Sequence, residues 1–313
     1  MRVFTADDVA AALPYERLID ALDRAFRSPA SVPARSFHTI PVPNGSDGFL
    51  VLMPAWATGR HACVKIATVF PGNKAQGLPT VQAQVLLLDA SNGSAIALFE
   101  GGEITRRRTA AASALAARYL ARSDARELLV VGTGALAPYM ASAHAQVRHF
   151  ERILVWGRHP AKAEACARLI QSQLPAHAVA ATIDLESAAR GADVISCATT
   201  SAQPLVKGQW LKDGAHLDLV GSFSASTREA DSDAVERSRV FVDTYQGARD
   251  EAGDLLIPIA EGRIAAGHIA GDLAELVCGR VAARTSERDV TLFKSVGTAI
   301  EDLIAAETAL ISG

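Results

Sequence analysis

The sequence predicts an α/β protein whose larger part is a doubly wound parallel sheet, preceded by a smaller α+β part. Three observations carry this. From about residue 103 onward, short and wholly apolar runs alternate with helical stretches of about 10–15 residues, the pattern of βαβ units buried on both faces. One of those runs passes through a Gly-rich turn directly into a helix. Before residue 103, the apolar runs are short and bounded by Gly, Pro or Asn, as antiparallel strands are.

Composition sets the limits. The chain has 313 residues, enough for about two domains. Its hydrophobic content is 49% and its charged content 21%, which excludes a mainly disordered chain. The net charge of −3 argues against binding nucleic acid or an anionic membrane by bulk charge. Aromatics are scarce and Ala abundant, as expected of helices packed closely on a sheet. No run is long and apolar enough for a membrane span, and Met1 to Asp8 lacks the pattern of a signal peptide. A soluble, cytoplasmic protein is expected. Cys63, Cys166, Cys197 and Cys278 lie far apart without CxxC spacing, so four buried, reduced thiols are expected rather than a metal or redox site.

The elements follow in order. Residues 5 to 27 read as a helix, with Thr5 as N-cap, Asp7 and Asp8 in the first turn, and Val9, Leu13, Leu18, Leu22 and Phe26 near helical spacing. Pro14 is expected to divide it. Strands are predicted at Ser36 to Val42, Phe49 to Met53, Ala62 to Phe70, Val81 to Asp89 and Ala95 to Glu100, with a turn at Ser91 to Ser94. Arg108 to Arg122 is an Ala-rich helix. Strands then fall at Glu127 to Val131, Arg152 to Trp156, Val179 to Ile183, Val194 to Ala198, His216 to Val220 and Val240 to Asp243. Ala135 to Val147 and Pro160 to Gln173 are helices between them. Val290 to Leu310 reads as a short strand and a final helix. No internal repeat is visible.

The sharpest local motif is Gly132-Thr133-Gly134-Ala135-Leu136-Ala137, a GxGxxA turn between an apolar strand and a helix. Gly132 permits the tight turn, Gly134 lets backbone approach a pyrophosphate, and Ala137 lets helix and strand pack closely. The helix N-terminus offers N–H groups and a positive dipole end to phosphate. The second strand of this Rossmann-like unit ends Trp156-Gly157-Arg158-His159. An acid there would accept the ribose 2′-OH of NAD. Arg158 instead suits a 2′-phosphate, so NADP(H) is preferred and NAD(H) remains open. The alternative is that Arg158 is solvated or stacks on the adenine.

Several segments together resemble the ornithine cyclodeaminase/mu-crystallin family. They are Met53-Pro54-Ala55, Val64-Lys65-Ile66 with Phe70-Pro71-Gly72-Asn73, Gly77-Leu78-Pro79-Thr80-Val81-Gln82, Arg108-Thr109-Ala110-Ala111, the Gly132 loop, and Leu292-Phe293-Lys294-Ser295-Val296-Gly297. The resemblance implies that residues 1–116 plus 296–313 form a substrate-binding and dimerisation domain, with the Rossmann domain, 117–295, inserted into it. It implies an NAD(P)-dependent enzyme acting on a small amino acid or its imine, and a homodimer. Arg35, Lys65, Thr80 and Arg108 match its substrate-binding positions, and Lys65 its catalytic one. The cofactor positions are Gly132, Thr133, Gly134, Ala135, Leu136, Gly157, Arg158, His159, Thr199, Gly221, Ser222, Phe223, Ser295 and Gly297.

The chemistry of these residues fits. Two guanidiniums suit a bidentate carboxylate, and a lysine beside them has a depressed pKa and can carry a proton near neutrality. Lys65 is also the least expected residue in its apolar run. Two positions depart from the family: Phe223, where its cyclodeaminases and alanine dehydrogenases carry an Asp, and Val51, where ornithine cyclodeaminase carries a Glu. Their loss points to a smaller or more apolar substrate than ornithine. Imine or ketimine reduction, or amino-acid dehydrogenation, is expected. The alternatives are ornithine cyclodeamination and a mu-crystallin-like protein that binds NADP and a small ligand. The scattered His residues offer no metal-ligand spacing, and no metal is expected. His216 and His268 are expected to be structural, Asp243 to lie near the site, and Asp272 to be a helix N-cap.

Overall fold

A computed structural model describes residues 1–312 and shows two compact units. The first comprises Met1–Thr109 and the chain from Thr298 on; the second is Ala110–Gly297. The division falls inside one helix, Gly101–Leu120.

The first unit is a six-stranded sheet with helices on one face. Its strands are β1 (Arg2–Phe4), β2 (Ser36–Ile40), β3 (Gly48–Trp56), β4 (His61–Val69), β5 (Val81–Asp89) and β6 (Ala95–Glu100), in the spatial order β1-β6-β5-β4-β3-β2. Four pairings are antiparallel, as expected. The fifth was not expected: β1 pairs parallel to β6. Its three residues are too short a run to show alternation. Thr5 caps the first helix, Ala6–Ala12, in a reciprocal box with Asp8. Pro14 does divide the helical region, and a second helix runs Tyr15–Phe26.

Strand alternation decides which side chains enter the core. Val51, Met53, Cys63, Lys65, Val85, Leu87, Ala97 and Phe99 are buried. The final helix, Ala299–Ser312, packs against β3, β4 and the helix Tyr15–Phe26. The opposite face carries a cross-strand row, Pro54–Val64–Leu86–Leu98, through four strands. These four apolar residues are only half-buried.

The second unit is an eight-stranded parallel sheet. Its strands are β7 (Glu127–Val131), β8 (Arg152–Trp156), β9 (Ala178–Thr182), β10 (Val194–Cys197), β11 (His216–Leu219), β12 (Ser238–Val242), β13 (Ile269–Asp272) and β14 (Val290–Lys294). The spatial order is β13-β12-β14-β11-β10-β7-β8-β9. Leu129 and Val131 face one core cluster with Ile195, Leu217 and Leu292. Leu128 and Val130 face another with Ile153, Phe150 and Ile170. Both faces are therefore covered, which is why these strands read as continuous apolar runs. β13 escaped the sequence reading because its Ile-Ala-Gly-Asp is short and ends in polar residues. Asp272 caps the helix after it, as expected.

The orphan carbonyls closing the helix Gly101–Leu120 find unusual partners. Arg148 donates to the carbonyls of Arg118, Ala121 and Arg122, and Arg284 to that of Leu120. One cysteine departs from expectation. Cys63, Cys166 and Cys197 are buried, but Cys278 is exposed, because it follows the last turn of a short helix where Gly279 turns the chain at φ +68°.

Candidate functional site

Two groups of residues stand out, one in each unit. In the first unit, Lys65 projects from β4 into the core and is 4% exposed. Its Nζ lies 2.8 Å from Oδ2 of Asp302 and 3.1 Å from Oδ1. Arg108 donates through Nε to Asp302 Oδ1 at 3.0 Å and through Nη1 to Glu301 Oε2 at 2.6 Å. All four groups are buried. Isolated charges could not stay ionised there; paired and hydrogen-bonded ones can.

The electrostatics follow. Burial, then the Arg108 and Arg35 charges, push the Lys65 ammonium down to about 8, although Asp302 opposes them. Burial would raise Asp302, but Lys65 and Arg108 outweigh it and hold the carboxyl below its ordinary range. Arg35 is half-buried in the loop before β2 and close enough for its charge to act on Lys65. Thr80 is half-buried at the entry to β5, where its carbonyl accepts from the Phe70 N–H at 2.8 Å. Arg35 and Arg108 thus both act on Lys65, while Thr80 shows no hydrogen bond to them among the described residues. Val51 is buried on the same face of β3 as Met53, the residue opposite Lys65.

Sequence reasoning missed Glu301 and Asp302, and with them the balance of charge. The sequence reading named only cations here; two buried carboxylates stand among them and compensate Lys65 and Arg108. The signal was present as two adjacent acids in Ala299-Ile300-Glu301-Asp302-Leu303-Ile304-Ala305-Ala306, an otherwise apolar stretch. In a first helical turn such acids also suit the macrodipole, which hides the signal.

In the second unit, parallel pairing puts every strand's C-terminal end on one edge of the sheet. Gly132, Thr199, Gly221 and Ser295 follow β7, β10, β11 and β14, which are consecutive neighbours, and Gly157 follows β8 on the other side of β7. The chain leaves β7 toward β8 and later returns to β10 on the opposite flank. The crevice of such a switch point is where open α/β sheets bind ligands.

The loop itself fits a dinucleotide. Gly132 has φ +124°, and a Cβ there would lie 2.7 Å from the Ala198 carbonyl. A Cβ on Gly157 would meet Thr133 at 2.5 Å. A Cβ on Gly134 would meet nothing within 4 Å, so no protein packing demands glycine there. What glycine does at Gly134 is leave exposed backbone open to close approach by phosphate. Ala135 is exposed and Leu136 half-buried beside it. Arg158 and His159 are exposed.

Other candidates are differently placed. Phe223 is 60% exposed. The Ser222 hydroxyl is engaged with Thr227, and that of Ser295 with Asp243 at 2.8 Å, so neither hydroxyl is turned outward. Asp243 also accepts from the Val296 and Gly297 N–H groups and so shapes that turn. Asp218 is fully buried and bonded to His144 and Ser196. His216 meets Thr291, and burial pushes it down to about 3, so it stays neutral. His268 lies near the backbone carbonyls of Val235 and Ser238. No cluster of metal-ligating side chains exists among the described residues, and none of their helices is long and apolar enough to cross a membrane.

The paired network makes a stability prediction. Asp302→Ala leaves Lys65 and Arg108 under-compensated in the core and is expected to destabilise the protein by about 3–5 kcal/mol. Urea denaturation checks this, and a loss below about 1 kcal/mol contradicts it.

Comparison with known proteins agrees with these features. The model of the ornithine cyclodeaminase/mu-crystallin family matches residues 1–310. A Delta(1)-pyrroline-2-carboxylate reductase of Colwellia psychrerythraea is 35% identical over 312 residues, covering 99% of this chain and 98% of the relative. The Thermococcus litoralis Delta(1)-pyrroline-2-carboxylate reductase, solved in complex with NADH and L-proline, superposes with a TM-score of 0.93 at 35% identity, covering 100% of this chain and 97% of the other. An archaeal alanine dehydrogenase dimer with bound NAD gives 0.91 at 25% identity, covering 100% and 95%. The resemblance seen in the sequence motifs is therefore correct, and the chain belongs to the ornithine cyclodeaminase/mu-crystallin family.

Proposed function

We propose that the protein reduces a small cyclic imino acid of the Delta(1)-pyrroline-2-carboxylate type, with NAD(P)H as hydride donor. It is an NAD(P)-dependent oxidoreductase working at the α-carbon of a small amino acid or its imine. The observation that carries this reading is Lys65, a buried ammonium ion-paired with Asp302 at 2.8 Å and pushed down to about 8 by burial and by the Arg108 and Arg35 charges. Such a group is a proton donor matched to neutral pH. Apolar Val51 and Phe223 offer no carboxylate to a distal amine, which favours an imine over ornithine.

Each part of this chain has a task. Arg35 and Arg108 bring guanidinium charge to the substrate carboxylate. Gly132 to Leu136 receive the pyrophosphate of the dinucleotide. When bound, the reduced nicotinamide supplies the hydride to the imine carbon. The C=N π pair then moves to nitrogen, which takes one proton, and Lys65 gives it. Asp302 keeps the Lys65 ammonium charged and aimed.

The assay follows the near-ultraviolet absorbance of the reduced cofactor on adding pyrroline-2-carboxylate. Consumption of cofactor is expected; ammonia release from ornithine without net consumption would indicate cyclodeamination, and binding without turnover a ligand-binding protein. Lys65 is protonated below about 8 and neutral above it. Reductive kcat/KM is therefore expected to fall as pH rises through that value. Lys65→Ala is expected to lose about 10²–10⁴-fold in turnover while still binding cofactor; unchanged turnover would falsify the assignment.

We further propose that NADP(H) is the preferred cofactor, through exposed Arg158. Arg158→Asp is expected to move the NADPH-to-NADH preference toward NADH by about ten- to hundredfold, the worth of one charge-assisted contact. A ratio that stays put removes Arg158 from the 2′-phosphate. The half-buried row Pro54–Val64–Leu86–Leu98 supports a homodimer formed through that sheet face. Light scattering is expected to return the mass of two chains, and of one chain for Leu86→Glu. A wild type of single-chain mass contradicts this.

A further inference from the structure

Beneath the sheet edge of the second unit lies a buried charged group that no step above uses. Glu229, Asp254 and Lys294 come from three separate stretches of chain and are all buried. Oε1 of Glu229 accepts from the Thr199 N–H at 2.6 Å and the Thr199 hydroxyl at 2.8 Å. Its Oε2 accepts from the Gly221 N–H at 2.7 Å. One carboxylate thus ties the loop after β10 to the loop after β11. Those loops meet backbone to backbone: a Cβ on Gly221 would lie 2.0 Å from the Thr199 carbonyl oxygen.

The carboxylate is itself held. Asp254 Oδ1 accepts from the N–H groups of Glu229 and Ala230 at 2.7 and 3.2 Å. Asp254 Oδ2 receives Lys294 Nζ at 2.8 Å, and the same Nζ donates to the Ser222 carbonyl at 2.5 Å. Lys294 ends β14, directly opposite Leu219 at the end of β11. Together the three side chains fix the loops after β10, β11 and β14, and none of them reaches the surface.

The strand order gives these loops a meaning. If the pyrophosphate sits on the Gly132 turn after β7 and the adenosine end extends over β8, the nicotinamide end must extend the other way, over β10, β11 and β14. We propose that Glu229, braced by Asp254 and Lys294, is a positioning residue that shapes the Thr199 and Gly221–Ser222 loops into the seat of the nicotinamide half of the cofactor. This rests on the NAD(P) reading above. It separates the two halves of the dinucleotide: Glu229 governs affinity for the nicotinamide half and leaves the adenosine half alone. Burial pushes the Glu229 carboxyl up to about 7, while its three donors and Lys294 favour the ionised acid. Glu229→Gln keeps an acceptor for Thr199 but turns an NH₂ group against the Gly221 N–H.

The test titrates full-length protein with two probes, NADPH and adenosine 2′,5′-bisphosphate, which lacks the nicotinamide half. Glu229→Gln is expected to weaken NADPH by about tenfold or more, with the bisphosphate unchanged and KM for NADPH rising more than kcat falls. Thr199→Val removes one hydroxyl bond and spares the backbone, so it carries the same measurement if Glu229→Gln fails to fold; a smaller shift confined to NADPH is expected. Equal weakening of both probes makes Glu229 a general structural residue and overturns the inference. So does a folded variant that binds both as wild type does. A wild type that binds neither these probes nor their counterparts without the 2′-phosphate, NADH and ADP, overturns the cofactor reading, and this inference with it.

Discussion

Lys65 and Arg108 stay charged inside the first unit because Glu301 and Asp302 are charged with them. Each ion alone would cost several kcal/mol to bury, and the pairs are tolerable only with close geometry and hydrogen bonds to the same oxygens. That demand fixes more than a proton donor. It sets the rotation of the final helix, because both acids must face β4 and the helix carrying Arg108. It also explains why Lys65 sits on the core face of a strand whose other inward residue nearby is Cys63. The packing of Ala299–Ser312 against β3 and β4 and the protonation of Lys65 are two aspects of one constraint.

The second unit repeats the principle at another scale. Lys294 sits among buried carboxylates and backbone carbonyls, and Asp243 gathers the N–H groups of the Val296–Gly297 turn. In both units, irregular backbone is held by buried acids rather than by apolar packing. Hydrophobic contact fixes volume but not direction, whereas a carboxylate with three donors fixes each within a few tenths of an ångström. Where a loop must present its backbone at a set position, that difference matters.

Much of this was legible in the residues. The strands β7, β8, β10, β11 and β12 announced themselves because burial on both faces demands unbroken apolar runs. Thr5 and Asp8 announced a helix start because capping chemistry is local. The GxGxxA turn was readable because its steric needs are local too. Less legible were β1 and β13, whose pairing depends on distant strands and not on their own composition. The acids were hidden most deeply. Glu301 and Asp302 look like ordinary first-turn residues, and Glu229 and Asp254 like surface polar residues in loops and helix starts. Their role depends on which cations the fold brings to them, from 193 and 194 residues away for Glu301 and Asp302 with Arg108. The cations could be counted along the chain; the anions that long-range packing brings to them could not.

The placement of Asp302 has a consequence for synthesis. A ribosome delivers Lys65 and Arg108 before their counter-ions, with the whole of the second unit made in between. The contiguous stretch 110–297 holds every strand of its own sheet and is complete before Glu301 emerges. The sheet of the first unit must therefore wait, with two core cations unmatched and in need of water, until Glu301 and Asp302 have been made. Order of assembly is written into the chain: the unit 110–297 can close first, and the other unit closes only once the helix Ala299–Ser312 has been made.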